Sequence, residues 1–234
     1  MNTDDVHEYD VNILQLSDSL FPTGMYSTSS GLETFFYEKR ITNATQLRAV
    51  MQAFLENQIG PADCVALGNT YDSALISALD EIMQIDQKLF SMKLVKEIRD
   101  VSVRSGTQLL KCVSEMLPKN ALLRSYQNAI NTGSASGIYP VSLGLASTLF
   151  SIPKSKAGLI LVYAFSASVV GAALRLGLIN HFEGQRIINE LKPVMSEAVH
   201  ENIDKKMVDA WQFAPEIDVM QMLHEQAERR MFIS

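Results

Sequence analysis

Much of what marks an enzyme or a nucleic-acid binder is missing from this chain. Gly-x-x-x-x-Gly-Lys-Ser/Thr does not occur, which argues against nucleotide hydrolysis by this chain alone. Gly-x-Ser-x-Gly is absent, and Ser134 within Gly133–Gly137 has no strand before it to build a nucleophile elbow. Asp-Asp-x-x-Asp, a magnesium motif of helical synthases, is missing too. The four histidines, His7, His181, His200 and His224, fall at no ligand spacing, so no local pair sets two metal ligands on one helix face. Cysteine is scarce: Cys64 and Cys112 each sit in an apolar helical pattern and read as reduced, buried thiols, with a disulfide or thiolate site as the alternative. No basic tract exists and the net charge is −6, which excludes a phosphate-backbone partner such as nucleic acid. The first residues are acidic and lack the basic and apolar regions of a signal peptide. Period-2 alternation and Asn-Gly or Asp-Gly hairpin signals are also lacking.

What is present is helical punctuation around abundant apolar residues, 47% against 20% charged. Asn43-x-x-Gln46 caps a run in which Leu47, Val50, Met51, Phe54 and Leu55 recur at helical spacing. Gly60-Pro61 ends that helix and starts another. Asp86 caps a long run from Gln87 to Met116, stopped by Pro118, and a shorter helix spans Ala121 to Ile130. Asn131–Gly137 is a loop, Pro140 and Pro153 open helices, and further helices run from Glu183 to Ile203 and from Pro215 onward. The expectation is an all-α fold: one domain over residues 1–234, a bundle of roughly ten helices, with 1–9 flexible and 226–234 a partner-binding tail. Ala157–Leu174 carries no charge, and its small residues Ala164, Ala167, Ser168, Gly171 and Ala172 fall on two adjacent stripes. It reads as the buried central helix, with a membrane span as the competing reading.

Several polar groups stand in unusual places. Gln15 and Asp18 lie among apolar residues before Pro22, as helix-end caps or as contacts. Gly106 in a helix interior implies a close approach, which makes Arg104 a buried ion-pair member or a partner contact. Arg175 closes the long apolar helix, where its charge favours the helix dipole. At the C-terminus Arg229 and Arg230 precede Met231, Phe232 and Ile233. An apolar chain end beside two guanidinium groups fits a segment ordered by a partner, or one docked on its own core.

The order Leu14-Gln15-Leu16-Ser17-Asp18-Ser19-Leu20-Phe21-Pro22-Thr23-Gly24, followed by Ser30-Gly31-Leu32-Glu33-Thr34-Phe35, resembles the N-terminal signature of the urease accessory protein F family. Arg104–Leu110, Gly137–Gly144, Tyr163–Gln185 and Arg230–Ser234 continue the resemblance in the same order. By physics alone the first segment is helix, turn and a helix capped by Ser30-x-x-Glu33. The resemblance implies a cytoplasmic, non-enzymatic, dimerising assembly protein with no cofactor of its own. Its partners would be urease accessory protein D (also called H), the GTPase accessory protein G and apo-urease, with nickel handled by the complex. It also implies partner roles for Arg230, Gln15, Phe35, Arg104, Arg175 and Gln185, to which the placement of the residues themselves adds Asp18, Arg229, Met231 and Phe232 as candidates. Two departures stand out: His181 lies where a Gln is common, and Phe35 where Tyr is common. The competing readings are a GTPase activator using Arg175, Arg229 or Arg230 as a finger, and a helical enzyme or small-ligand binder with a dispersed site.

Overall fold

The structure, a computed structural model, describes residues 7–18, 20–24, 28–227 and 231–233. Among these the regular structure is helical throughout. The α-helices are α1 (Glu8–Ser17), α2 (Leu32–Tyr37), α3 (Ala44–Phe54), α4 (Val65–Leu75), α5 (Leu79–Met92), α6 (Lys96–Met116), α7 (Ala121–Asn131), α8 (Tyr139–Leu149), α9 (Lys154–Arg175), α10 (His181–Asn202) and α11 (Pro215–Glu225). A π-helical segment (Leu55–Cys64) joins α3 to α4, and a 3-10 turn (Met207–Asp209) precedes α11. The fold is all-α, as expected. Of the stretch expected to be flexible, Glu8 and Tyr9 already belong to α1, and residues 1–6 lie outside the described ones.

The centre is built from α8 and α9. Pro140 sits in the first turn of α8, and every residue from Tyr139 to Ser147 is buried, so this helix is enclosed on all sides by α4, α6 and α9. Pro153 is the N-cap of α9. By length and composition α9 would cross a membrane, but 61% of its most apolar window is buried inside the protein. Its small-residue stripes divide the work. Ala172 is buried in the core. Ala164, Ala167, Ser168 and Gly171 line a groove of about 290 Å³ against Leu16, Leu20, Phe21, Pro22 and Gly24, among others. Small side chains therefore admit the N-terminal segment here.

Three local readings are corrected by tertiary contacts. Gly60-Pro61 does not break the chain into two helices, because a widened π turn carries it through. Pro61 has no N–H for the Asn57 carbonyl one turn back, and the Phe213 amide donates to that carbonyl at 3.0 Å. The Trp211 amide likewise donates to Pro61 O at 3.1 Å, which straps the segment before α11 onto the π turn. The expected helix from Gln87 to Met116 is two helices, broken at Lys93–Val95. Lys93 turns inward to meet buried Asp63 at 2.7 Å. Arg99 Nη1 donates to the freed carbonyls of Lys93 and Leu94 at 2.6 and 2.9 Å.

Asp86, expected as that helix's cap, lies inside α5 and is wholly buried. Its carboxylate accepts the Tyr126 hydroxyl at 2.9 Å, the Ile138 amide at 2.9 Å and the Ser136 amide. A carboxylate with three donors tolerates burial that a bare one does not, so Asp86 fixes the polar loop into which α7 ends. The close approach inferred at Gly106 is present: a Cβ there would fall on the Gly137 carbonyl oxygen. Cys64 is buried, and burial pushes its thiol up, whereas Cys112 is only half-buried, a correction to the paired reading.

Candidate interaction site

Helix α11 packs Ile217 and Met220 into the core, and buries polar side chains beside them while leaving apolar ones outside. Asp218, Gln221 and His224, spaced three apart, are buried, while Val219, Met222 and Leu223 stand 49%, 40% and 43% exposed. Each buried polar group has a dedicated partner. Gln58 Nε2 donates to Asp218 Oδ1 at 2.8 Å, and Gln221 Nε2 donates to the Ser30 carbonyl at 3.2 Å. The His224 ring lies between two carboxylates, with Nδ1 2.7 Å from Glu97 Oε2 and Nε2 3.0 Å from Glu33 Oε2. A polar stripe satisfied in this way fixes the rotation of α11 about its axis, and with it the display of its apolar stripe to solvent.

Glu33 is the hub. The Ser30-x-x-Glu33 pattern reads as a capping box, but Gly31 is the N-cap of α2 at φ 85°, and the Glu33 side chain is turned into the protein, 2% exposed. Glu33 Oε1 accepts the Met231 amide at 2.7 Å and Oε2 accepts the Phe232 amide at 3.1 Å, so the carboxylate that meets His224 also holds the C-terminal segment. Gly31 is required for this packing, because a Cβ there would lie 2.8 Å from Gln221 Cγ. Phe232 is buried, its ring 4.4 Å from the Arg175 guanidinium carbon. Arg175 Nε donates to the Gly171 carbonyl at 3.0 Å, which aims the guanidinium at the ring. Met231 and Ile233 remain exposed on either side of it. A groove of about 570 Å³ beside the tail is lined by Lys96, Asp100, Val101, Arg104, Phe232 and Ile233, among others. Asp100, 2.5 Å from Lys96, raises the lysine above its usual range.

The expected site residues divide into groups. Arg175, Met231 and Phe232 meet at the docked tail, Arg104 borders the same groove, and Phe35 lies on α2 two residues beyond Glu33. Arg104 is exposed, which removes the buried ion-pair reading, and Phe35 is 1% exposed, a core residue rather than a surface contact. Phe232 is likewise held within its own chain. Gln15 and Asp18 border a second groove of about 460 Å³ formed with Leu20, Phe21, Cys112 and Met116. There Gln15 Nε2 points at Met116 Sδ at 3.8 Å, and Asp18 Oδ1 accepts the Leu20 amide at 2.8 Å in a local turn. Gln185 is exposed on α10, apart from both grooves, near Phe182 at 87% exposure. Arg229 and Arg230 lie outside the described residues.

Glu33, Glu97 and His224 were missed by the sequence reading. Glu33 and His224 are 191 residues apart, beyond any local spacing rule. The one available signal was Asp218-x-x-Gln221-x-x-His224, three polar residues at helical spacing in an otherwise apolar helix.

The UreF family model matches residues 41–192. Similar curated proteins include a urease accessory protein UreF of Trichodesmium erythraeum, 29% identical over 94% of each chain. Another, of Paenarthrobacter aurescens, is 26% identical over 97% of this chain and 98% of its own length. Urease accessory protein UreF 1 of Brucella melitensis is 30% identical over 96% of this chain and 92% of its own.

Proposed function

This chain belongs to the UreF family of urease accessory proteins, and from that premise we propose that it is an adaptor in nickel insertion. In this reading it binds urease accessory protein D (or H) and recruits the GTPase accessory protein G to apo-urease, in the cytoplasm and as a homodimer. The observation that carries the reading is the apolar stripe that α11 leaves exposed. The helix's buried polar stripe orients Val219, Met222 and Leu223 outward, beside Tyr37 at 60% exposure, next to a docked tail that also exposes Met231. Exposed apolar side chains on a rotationally fixed helix are pre-ordered contact surface, since little conformational entropy remains to be lost on binding. Gln15, Asp18, Arg104 and Gln185 would act as direct polar contacts. Phe35, Arg175 and Phe232 would act by holding the tail and α2 in place. Arg229 and Arg230 would reach the partner from the tail.

The test is co-purification with accessory protein D after Met222→Glu combined with Leu223→Glu. Both positions are exposed, so the helical circular dichroism signal is expected to stay while binding is lost. Undiminished binding by a folded double variant would remove α11 from the interface and the reading with it.

A further inference from the structure

A cleft of about 90 Å³ lies among α6, α8, α9 and the π segment. Phe54, Leu161 and Phe165 give it an apolar lining, and Lys93, Ser105 and Tyr139 a polar one. Each of these three polar side chains keeps donor capacity that the described residues leave unmet. The Ser105 hydroxyl, in a residue 1% exposed, has no hydrogen-bond partner. Tyr139 bonds through its backbone amide, to Ser102 Oγ at 3.1 Å, while its buried hydroxyl meets no partner. Burial alone pushes that phenol up, so it keeps its proton. The Lys93 ammonium carries three N–H groups and has one acceptor, Asp63 Oδ1 at 2.7 Å. Acceptors face no donors either: Gln58 and Gln221, which also line the cleft, commit their amide nitrogens to Asp218 and the Ser30 carbonyl, and their side-chain oxygens accept nothing from the described residues. Buried polar groups are ordinarily satisfied, because leaving one bare costs free energy.

We propose that this cleft binds a short-chain primary amide, whose carbonyl oxygen accepts from Lys93 and Ser105, whose NH2 donates to a glutamine oxygen, and whose alkyl end packs on Phe54, Leu161 and Phe165. Three features select that class. Free donors and free acceptors line one space, and a primary amide supplies the complement of both. Asp63 already balances the Lys93 charge, so a carboxylate ligand would bring a second buried anion beside the first, and an ammonium ligand would face three donors. Finally, the apolar lining favours a ligand with an alkyl end over a wholly polar one. The volume is that of about three water molecules, at about 30 Å³ each, or of one acetamide-sized solute in their place.

The experiment titrates acetamide into the full chain and follows the backbone amide signals of Lys93, Ser105 and Tyr139 by nitrogen–proton correlation spectroscopy. Acetate at matched ionic strength is the charged probe of the same shape. Acetamide is expected to shift these signals saturably, with a Kd in the millimolar range that suits so small a solute, and acetate is expected not to saturate. Ser105→Ala deletes a hydroxyl that bonds nothing in the chain, so the fold is kept. It is expected to weaken acetamide by about 2- to 10-fold, the value of one hydrogen bond. Shifts that drift linearly without saturating would mean that the cleft holds water only, and would overturn the proposal. Acetate binding as tight as acetamide binding would overturn the amide class, and an unchanged acetamide affinity in Ser105→Ala would overturn the assigned contact. The isolated chain suffices for every arm, so the result stands apart from the adaptor reading.

Discussion

Removing Lys93 tests whether a buried polar pair holds the break between α5 and α6 against the π segment. Lys93 and Asp63 are 8% and 7% exposed at their side chains and 2.7 Å apart, with Asp63 on the π segment and Lys93 at the helix break. Lys93→Met keeps the side chain's length and apolar stem but leaves Asp63 as an uncompensated buried charge. Breaking a buried pair from one side costs about 3–5 kcal/mol, a large share of the roughly 5–15 kcal/mol that stabilises a typical domain. The pH dependence carries a sign of its own. Burial raises the Asp63 carboxyl above its usual range, and Lys93 draws it part of the way back. A carboxyl raised by folding holds its proton more tightly in the folded chain. Its contribution is therefore complete below the unfolded value of about 3.9 and declines as pH rises through the folded value. Without Lys93 the draw-back is lost, so the decline should be larger and extend to higher pH than in the parent.

Urea unfolding followed by far-ultraviolet circular dichroism, from about pH 4 to about pH 8, reads both effects. The partner variant Asp63→Leu with Lys93→Met removes both charges and should recover most of the loss, since an apolar replacement of a buried pair is often neutral. A Lys93→Met protein within about 1 kcal/mol of the parent, the range of an exposed pair, would refute the argument. So would a double variant no more stable than the single.

Three further outcomes follow from the packing. Gly68→Ala should lower thermal stability by about 1–3 kcal/mol despite alanine's better helix propensity, because its Cβ would fall on the Ile203 carbonyl oxygen at the end of α10; an unchanged melting temperature counts against that contact. Asp86→Ala leaves the buried Tyr126 hydroxyl and Ile138 amide and the half-buried Ser136 amide without their acceptor, at about 1–3 kcal/mol for each buried group, and should speed hydrogen exchange at Ser136 and Ile138 first. Retained protection there would show that the loop holds its shape without the carboxylate. Arg175→Ala removes the cation over the Phe232 ring, worth about 0.5–2 kcal/mol, and should quicken carboxypeptidase removal of the last residues while global melting stays put. Equal digestion rates would mean that the ring is held by its other contacts.

The family relationship and the helical class were legible because both depend on local order. Caps, prolines and the 3.6-residue period each act within a turn or two, and Asn43, Pro140, Pro153 and Pro215 all punctuate helices where the residues alone place them. The same locality explains the misreadings. Asp86 and Glu33 both have the chemistry of a cap, and nothing nearby distinguishes a carboxylate that accepts from its own turn from one that accepts across the fold. Gly60-Pro61 reads as a stop because the Phe213 amide that stands in for the missing proline N–H comes from more than 150 residues away.

By itself, then, the order of residues determined an all-α chain of this family and the positions of most helix ends, since each of those choices is settled by neighbours along the backbone. Only the tertiary structure decided where the buried charges pair and which face α11 turns outward. A buried carboxylate or lysine is tolerated only where folding brings its partner, and that partner sits at no fixed spacing in the chain.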